Sequence, residues 1–298
     1  MTSRGRVIVT GGGGFLGRAL VARLRAGGGE VLAPSRANLD WRDATAVARL
    51  IAAGDVAVLY HLASSGVSNR DADDPAILAD ELAMARAIAA AVQPETRIVF
   101  AGSMAEYGSS GRLAESQAVA PVNGYARAKV EAGRILHDPA VARGGAVIHA
   151  RIFGLYGPGE GAGRLLPAIA GALRDGRPIA LSDGIQRRDF VHVDDTARAL
   201  AALGGLRAGP AIVNVGTGVA REVRAVALAL ARELGADAQL LQFGTRTRSP
   251  HDQDVLEADP TLLAETIGWV PPQRLDPLAG AILAQLGPAE PLAMAQVR

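Results

Sequence analysis

Apolar positions in the first 150 residues alternate between short continuous runs and longer amphipathic stretches. The runs at 7–9, 31–33, 56–62, 97–101 and 146–151 are rich in β-branched residues and predict strands buried on both faces. Between them, apolar residues at helical spacing predict helices over 15–24, 43–53 and 77–92, with another beginning near Tyr125. This βαβ alternation predicts a doubly wound parallel sheet.

The pattern becomes less regular after residue 153. It predicts helices over 165–174, 195–203 and 221–234, short strands over 178–181 and 211–215, and a proline-rich tail beyond Trp269. We therefore expect a Rossmann-type α/β domain over 1–153, with segments returning from about 182–217, and a smaller α/β domain over 154–298. No repeat or linker separates the two, so we expect them to pack closely.

Composition narrows the class of protein. The 298 residues are 49% hydrophobic, contain no cysteine and carry a formal net charge of +1. A thiolate metal site and a disulfide framework are excluded, and charge gives no reason to expect nucleic acid or a membrane as partner. No apolar run reaches the roughly 18 residues that span a bilayer, and the first strand begins too early for a signal peptide. We expect a soluble, cytoplasmic protein without a metal site.

A glycine-rich segment lies between the first predicted strand and helix. Its glycines match G-x-x-G-x-x-G and, starting at Gly12, G-x-G-x-x-G. In a strand–turn–helix context, such glycines let the backbone approach a pyrophosphate at the helix N-terminus, whereas a flexible loop without a ligand is the alternative. We predict dinucleotide contacts from Gly11, Gly14, Phe15, Leu16 and Gly17.

The end of the second strand indicates which dinucleotide binds. A ribose 2′-hydroxyl usually meets an acidic residue there, but this chain has Ser35 and Arg36 and no carboxylate before Asp40. A guanidinium suits a 2′-phosphate, so we favour NADP, with NAD as the alternative if Arg36 is only a solvated surface residue. Asp40 and Trp41, near the end of a further predicted strand, are expected at the adenine edge.

Three residues form a candidate catalytic group. Tyr125 and Lys129 are four residues apart at a helix start, so that both side chains lie on one face. An ammonium beside a phenol stabilises the phenolate and makes Tyr125 a better acid and base. Ser103 follows a strand at the carboxyl edge of the sheet, where its hydroxyl can bind a substrate oxygen.

These motifs together resemble the extended short-chain dehydrogenases/reductases, and among them the nucleotide-sugar epimerase/dehydratase group. The resemblance covers nearly the whole chain and is carried by residues 10–17, 61–63, 103–108, 125–129, 153–159, 188–195, 214–218 and 268–271. It implies hydride transfer between a nicotinamide and a sugar carbon, usually C4. Tyr125 would donate or accept the proton, Lys129 would bind the nicotinamide ribose, and Ser103 would orient the reacting oxygen.

The resemblance also implies the substrate and further site residues. Residues 1–153 would bind NAD(P), with Leu62 and Ala63 lining the cofactor pocket, and 154–298 would hold a nucleotide-diphosphate sugar. Arg188 matches the family's diphosphate-binding arginine, Arg248 near Asp252 is a second candidate, and Arg164 stands where an asparagine is common. Relatives commonly form homodimers through the helices that correspond to 77–92 and the Tyr125 helix.

Departures from the family pattern separate the possible reactions. Dehydratases carry a carboxylate pair directly after the serine or threonine, but this chain has Met104 and Ala105, with Glu106 one residue too late. Asp80 and Gly154 replace two family asparagines. Our first hypothesis is an NADPH-dependent reductase of a nucleotide-linked 4-keto-6-deoxyhexose. The alternatives are a 4-epimerase with bound NAD and, ranked lower, a dinucleotide-binding sensor without turnover.

Overall fold

A computed structural model describes residues 5–65, 73–142, 146–206 and 208–275, together with 278 and 282. The first half contains β1 (Arg6–Thr10), α1 (Phe15–Ala26), β2 (Val31–Leu32), α2 (Ala44–Ala52), β3 (Val56–His61), α3 (Pro75–Ala91), β4 (Arg97–Ser103), β5 (Gly111–Leu113), α4 (Gly124–Ala142) and β6 (Val147–Ile152). The second half contains β7 (Gly154–Tyr156), α5 (Leu165–Arg174), β8 (Ile179–Leu181), β9 (Arg187–His192), α6 (Val193–Gly204), β10 (Ile212–Val215), β11 (Ala220–Glu222), α7 (Val223–Glu233), β12 (Leu241–Phe243), β13 (Val255–Ala258) and α8 (Thr261–Ile267).

The centre of the fold is a six-stranded parallel sheet. Its strand order is β10-β6-β4-β3-β1-β2, so the direction of winding changes between β1 and β3. One apolar core packs α1 and α6 against one face of the sheet, and a second packs α2, α3 and α4 against the other. The predicted doubly wound sheet is confirmed, and its carboxyl edge at the change of winding is where such folds bind ligands.

A second sheet is built partly from strands that follow β4, β6 and β10 along the chain, namely β5, β7 and β11. It has the order β11-β9-β13-β5, and β7 pairs with β9. These strands were absent from the pattern-based prediction, because they are three to six residues long and lack a continuous apolar run. The predicted strand over 211–215 is confirmed as β10, which returns to the edge of the central sheet. The division into two domains stays a prediction.

The surface of the protein bears on the predicted location and on the predicted homodimer. Among the described residues, no helix is long and apolar enough to cross a membrane. The helices α3 and α4 pack side by side, as a homodimer contact through them requires. The large apolar side chains that are exposed in the described part of the chain lie elsewhere, at Leu165, Ile185, Val219 and Leu228. The homodimer and the cytoplasmic location stay predictions.

Asp189 connects the second sheet to the loop after β10. Its buried carboxylate accepts hydrogen bonds from the Thr217 backbone and hydroxyl, at 3.0 and 2.6 Å, and from the backbone N–H groups of Gly218 and Ala258. Burial raises the pKa of Asp189, while these donors oppose the rise. Four donors from two chain segments thus depend on one side chain.

We predict that Asp189→Ala lowers the free energy of unfolding by about 3 kcal/mol or more, because the substitution leaves four buried donors without an acceptor. Urea denaturation followed by circular dichroism measures the loss. Asp194→Ala is the matched control, since that side chain is 73% exposed and should cost less than about 1 kcal/mol. Equal losses for the two variants would contradict the role given to Asp189.

Candidate active site

The glycine loop is shaped by contacts that exclude side chains. A Cβ atom on Gly17 would lie 2.1 Å from the Gly11 carbonyl oxygen, and one on Gly11 would lie 2.8 Å from Ala63. Gly11 also has a φ of +67°, which only glycine adopts without strain. The helix α1 begins after Gly14 with no side-chain cap and no acidic residue in its first turn. This bare helix start fits a dinucleotide pyrophosphate.

The neighbouring loop after β3 is held by Thr10. Its hydroxyl oxygen accepts from the backbone N–H groups of Leu62 (3.1 Å) and Ala63 (2.9 Å) and hydrogen-bonds His61 Nδ1 at 2.8 Å. Burial lowers the pKa of His61 to about 4, so the ring is neutral at physiological pH. Thr10 and His61 therefore order the segment that the sequence assigns to the cofactor pocket.

The end of β2 presents a cation. Arg36 is exposed and donates to the Ser64 carbonyl oxygen at 3.1 Å, while the Ser35 hydroxyl donates to Asn38. The Asp40 carboxylate accepts from Arg42 at 2.8–3.2 Å, and these hydrogen bonds lower the pKa of Asp40 to about 2. The Asp40 carboxylate is thus already hydrogen-bonded to Arg42, which it shares with Asp80.

Asp40 and Trp41 do not follow a strand, so that part of the prediction is wrong. They lie in the loop between β2 and α2. The indole of Trp41 is only 4% exposed and packs in the core with α2 and α3, because a ring of this size is stabilised by burial. The contacts predicted between these two residues and an adenine stay predictions.

Ser103 ends β4 and begins a short 3₁₀ helix. Its hydroxyl accepts from the Ala105 backbone, and its own backbone N–H donates to Glu106 Oε1 at 2.7 Å. Glu106 is fully buried, also contacts His149 (2.9 Å), and accepts from Arg151 (3.0 Å). Its carboxylate therefore points into the protein and positions Ser103 instead of facing a substrate.

Tyr125 and Lys129 lie on one face of α4, as predicted. The Lys129 ammonium is 5.8 Å from the centre of the Tyr125 ring and 5.3 Å from that of Phe100 on β4. α4 packs against the 3₁₀ helix that Ser103 begins, so the structure places the three candidate catalytic residues on adjoining elements. Lys129 is also the only lysine among the 31 lysines and arginines of the chain.

Glu81 is a site residue that the sequence analysis missed. Its Oε2 lies 3.1 Å from Lys129 Nζ, and both side chains are almost completely buried. Asp80, singled out by its motif position, instead pairs with Arg42 and accepts from Ser65. A signal was available, since Glu81 shares the buried face of α3 with apolar residues at helical spacing, among them Ile77, Met84 and Ile88.

The predicted diphosphate-binding residues come together where β9 meets the loop between β12 and β13. Arg188 on β9 is ion-paired with Asp252, and Arg248 lies 3.5 Å from the same carboxylate and 2.9 Å from Asp254. Burial lowers the pKa of Arg188, and the charge of Asp252 opposes this. Two guanidiniums thus share one partly buried acidic partner, an arrangement that suits a dianionic ligand.

Arg164 lies apart in sequence, at the start of α5. It pairs with Glu160 at 3.7 Å, and burial raises the pKa of Glu160 to about 7. Gly154, the other departure from the family pattern, lies on β7 where a Cβ atom would come within 2.7 Å of the Asp189 carbonyl oxygen. An asparagine does not fit at 154 in this chain without a shift of the backbone.

Known proteins with similar sequences belong to one family of nicotinamide-dependent enzymes. The sequence profile of the NAD dependent epimerase/dehydratase family matches residues 7–216. Among curated relatives, a dTDP-6-deoxy-L-talose 4-dehydrogenase (NAD(P)(+)) from Kitasatospora kifunensis is 30% identical, over 92% of this chain and 93% of that protein. A UDP-glucose 4-epimerase from Mycolicibacterium smegmatis is 29% identical, over 89% of this chain and 93% of that protein.

Solved structures with a similar fold include enzymes of the same family. The Thermus thermophilus UDP-glucose 4-epimerase, solved in complex with NAD, superimposes with a TM-score of 0.82 at 25% identity, covering 95% of this chain and 99% of that one. The start of α1 without a side-chain cap and the Tyr125–Lys129 pair fit a nicotinamide-dependent enzyme. The chain therefore belongs to the NAD dependent epimerase/dehydratase family of extended short-chain dehydrogenases/reductases.

Proposed function

We propose that this protein is an NADPH-dependent reductase of a nucleotide-linked 4-keto-6-deoxyhexose. The preference for NADPH rests on the residues after β2, where Arg36 is exposed and the nearby Asp40 is already paired with Arg42. A 2′-phosphate would meet the exposed Arg36 guanidinium there, beside an Asp40 carboxylate that is already hydrogen-bonded to Arg42. The similarity to a dTDP-6-deoxy-L-talose 4-dehydrogenase supports both the sugar class and the position of the reaction.

In this proposal the chain's own residues bind the reactants and manage one proton. The glycine loop and the start of α1 would hold the pyrophosphate, and Arg36 would hold the 2′-phosphate. Bound NADPH would supply a hydride to C4 of the sugar. Ser103 would donate a hydrogen bond to the C4 oxygen, and Tyr125 would protonate that oxygen as negative charge develops on it.

The substrate would bind across the two sheets. Arg188 and Arg248 would bind the diphosphate, which would compete with Asp252 for their guanidiniums. Water elimination from the sugar is not part of this proposal, because Met104 and Ala105 carry no acid or base and Glu106 is turned inward.

A 4-epimerase with bound NAD is the second candidate. The similarity to UDP-glucose 4-epimerases over nearly the whole chain favours it. Such an enzyme would oxidise C4 of a hexose and reduce it again on the other face, with no net consumption of cofactor.

Incubation of the purified protein with each cofactor and substrate separates the two candidates. We expect stoichiometric oxidation of NADPH, followed at 340 nm, with a dTDP- or UDP-linked 4-keto-6-deoxyhexose. NAD that co-purifies with the protein, together with turnover of UDP-glucose or UDP-galactose, would contradict the reductase and support the epimerase. Absence of turnover with every sugar would favour a dinucleotide sensor.

We predict that Tyr125→Phe lowers kcat by about 10²–10⁴-fold, because it removes the proton donor while keeping the ring. Binding of NADPH, measured by its fluorescence, should change by less than about threefold, since the phenol oxygen contributes little to dinucleotide affinity. Unchanged turnover in the variant would overturn the assignment of Tyr125.

We predict that Arg36→Ala weakens NADPH binding by about 10–100-fold, which corresponds to the loss of one charge-assisted hydrogen bond to the 2′-phosphate. NADH lacks this phosphate, so its binding should be nearly unchanged. Fluorescence titration gives both dissociation constants. Arg49→Ala, which removes an exposed arginine from α2, is the matched control and should affect neither. An equal loss for both cofactors in Arg36→Ala would argue against 2′-phosphate recognition.

A further inference from the structure

Lys129 is a charged group in a place where charge is costly. Its side chain on α4 is 4% exposed, and its ammonium contacts Glu81 on α3 and the ring of Phe100 on β4. Burial lowers the pKa of a lysine, because the ammonium loses its hydration. For Lys129 burial is the largest single effect, but the charge and hydrogen bond of Glu81, together with Tyr125 and Glu106, outweigh it, and the pKa lies above its usual range.

The groups that face Lys129 come from four elements. They are Glu81 on α3, Tyr125 on its own helix, His61 on β3, and Glu106 in the 3₁₀ helix after β4. His61 is neutral, and the Glu106 carboxylate is already in contact with His149 and Arg151. Glu81 is therefore the carboxylate that compensates the ammonium directly, and Phe100 adds the face of its ring at 5.3 Å.

The second carboxylate oxygen of Glu81 is also engaged. Oε1 accepts from the Ser65 backbone at 2.9 Å, at the start of the loop that follows β3. Because both oxygens are bound, the carboxylate is fixed in place, and its pKa is lowered by Lys129 in spite of burial. The Glu81–Lys129 pair is thus ionised, and the Glu81 carboxylate is held in contact with Lys129 on α4.

We propose that Glu81 is a positioning residue that keeps Lys129 charged and so holds the Tyr125–Lys129 pair in its proton-donating form at neutral and mildly alkaline pH. The reason is electrostatic. A negative charge 3.1 Å from the ammonium makes the proton on Lys129 harder to remove and so keeps a cation beside Tyr125. This inference rests on the proposed reductase, since ketone reduction needs a protonated Tyr125 when the sugar oxygen becomes negative.

The chain offers a direct readout of this charge. Because Lys129 is the only lysine, protein grown with [ε-¹³C]lysine gives a single lysine side-chain NMR signal, and its shift reports the protonation of Nζ without any substrate. In the wild type we expect this signal to titrate above the usual lysine range. A midpoint near or below pH 9, at which Lys129 would lose its charge at mildly alkaline pH, would overturn the proposal without the need for a variant.

Three variants then isolate the charge. In Glu81→Gln we expect the Lys129 midpoint to fall by at least about one pH unit, because the buried ammonium loses its counter-ion. Glu81→Asp, which keeps the carboxylate, should recover at least half of that shift. Glu131→Gln removes a more exposed carboxylate that pairs with Arg134 on the same helix, and should leave the midpoint unchanged. Equal midpoints in wild type and Glu81→Gln would contradict the proposal.

Turnover gives a second readout if the proposed function holds. In Glu81→Gln the ratio of kcat at pH 9 to kcat at pH 7 should fall in line with the fraction of Lys129 that the NMR midpoint of the variant shows to be uncharged at pH 9, about threefold for a midpoint near pH 8.7. A purely structural role for Glu81 would lower kcat equally at both pH values. If no keto sugar is reduced, the reductase proposal fails, while the NMR titration still decides the role of Glu81.

Discussion

The burial of one positive charge is the constraint on which the rest of this site depends. An ammonium removed from water is stable only with a counter-charge and further polar contacts. For Lys129, the counter-charge is the carboxylate of Glu81. Meeting this requirement fixes the register of α3 against α4, since one residue on each helix must come into contact. The Ser65 contact of Glu81 extends the constraint to the loop after β3. Acid–base chemistry, helix packing and the shape of the cofactor side are therefore linked.

The helix α3 connects the two ends of the predicted cofactor site. Glu81 faces inward to Lys129, while the preceding Asp80 faces outward to Arg42, which also holds Asp40. Adjacent residues of a helix point in directions about 100° apart, so two neighbouring acids can serve two different environments. One lies beside the ammonium of Lys129, and the other shares the Arg42 guanidinium with Asp40 near the end of β2.

Much of the fold could be predicted from sequence, because local periodicity determines it. The parallel strands and the helices around them followed from apolar runs and helical spacing, and the pairing of Tyr125 with Lys129 followed from a separation of four residues. The second sheet could not be predicted in this way, since β5 pairs with β13 far along the chain. The motif position drew attention to Asp80, but the residue that contacts Lys129 is the buried Glu81. Which of the two adjacent acids faces inward is decided by the packing of α3 on α4.

Isotope transfer tests the central claim most directly. Reduction of a nucleotide-linked 4-keto-6-deoxyhexose by the purified protein with [4,4-²H₂]NADPH, followed by ¹H and ²H NMR of the sugar, shows where the hydride goes. If the protein is the proposed reductase, one deuterium appears at C4 of the product and the C4 proton signal is lost. A product without deuterium at C4, or with deuterium at another carbon, would contradict it.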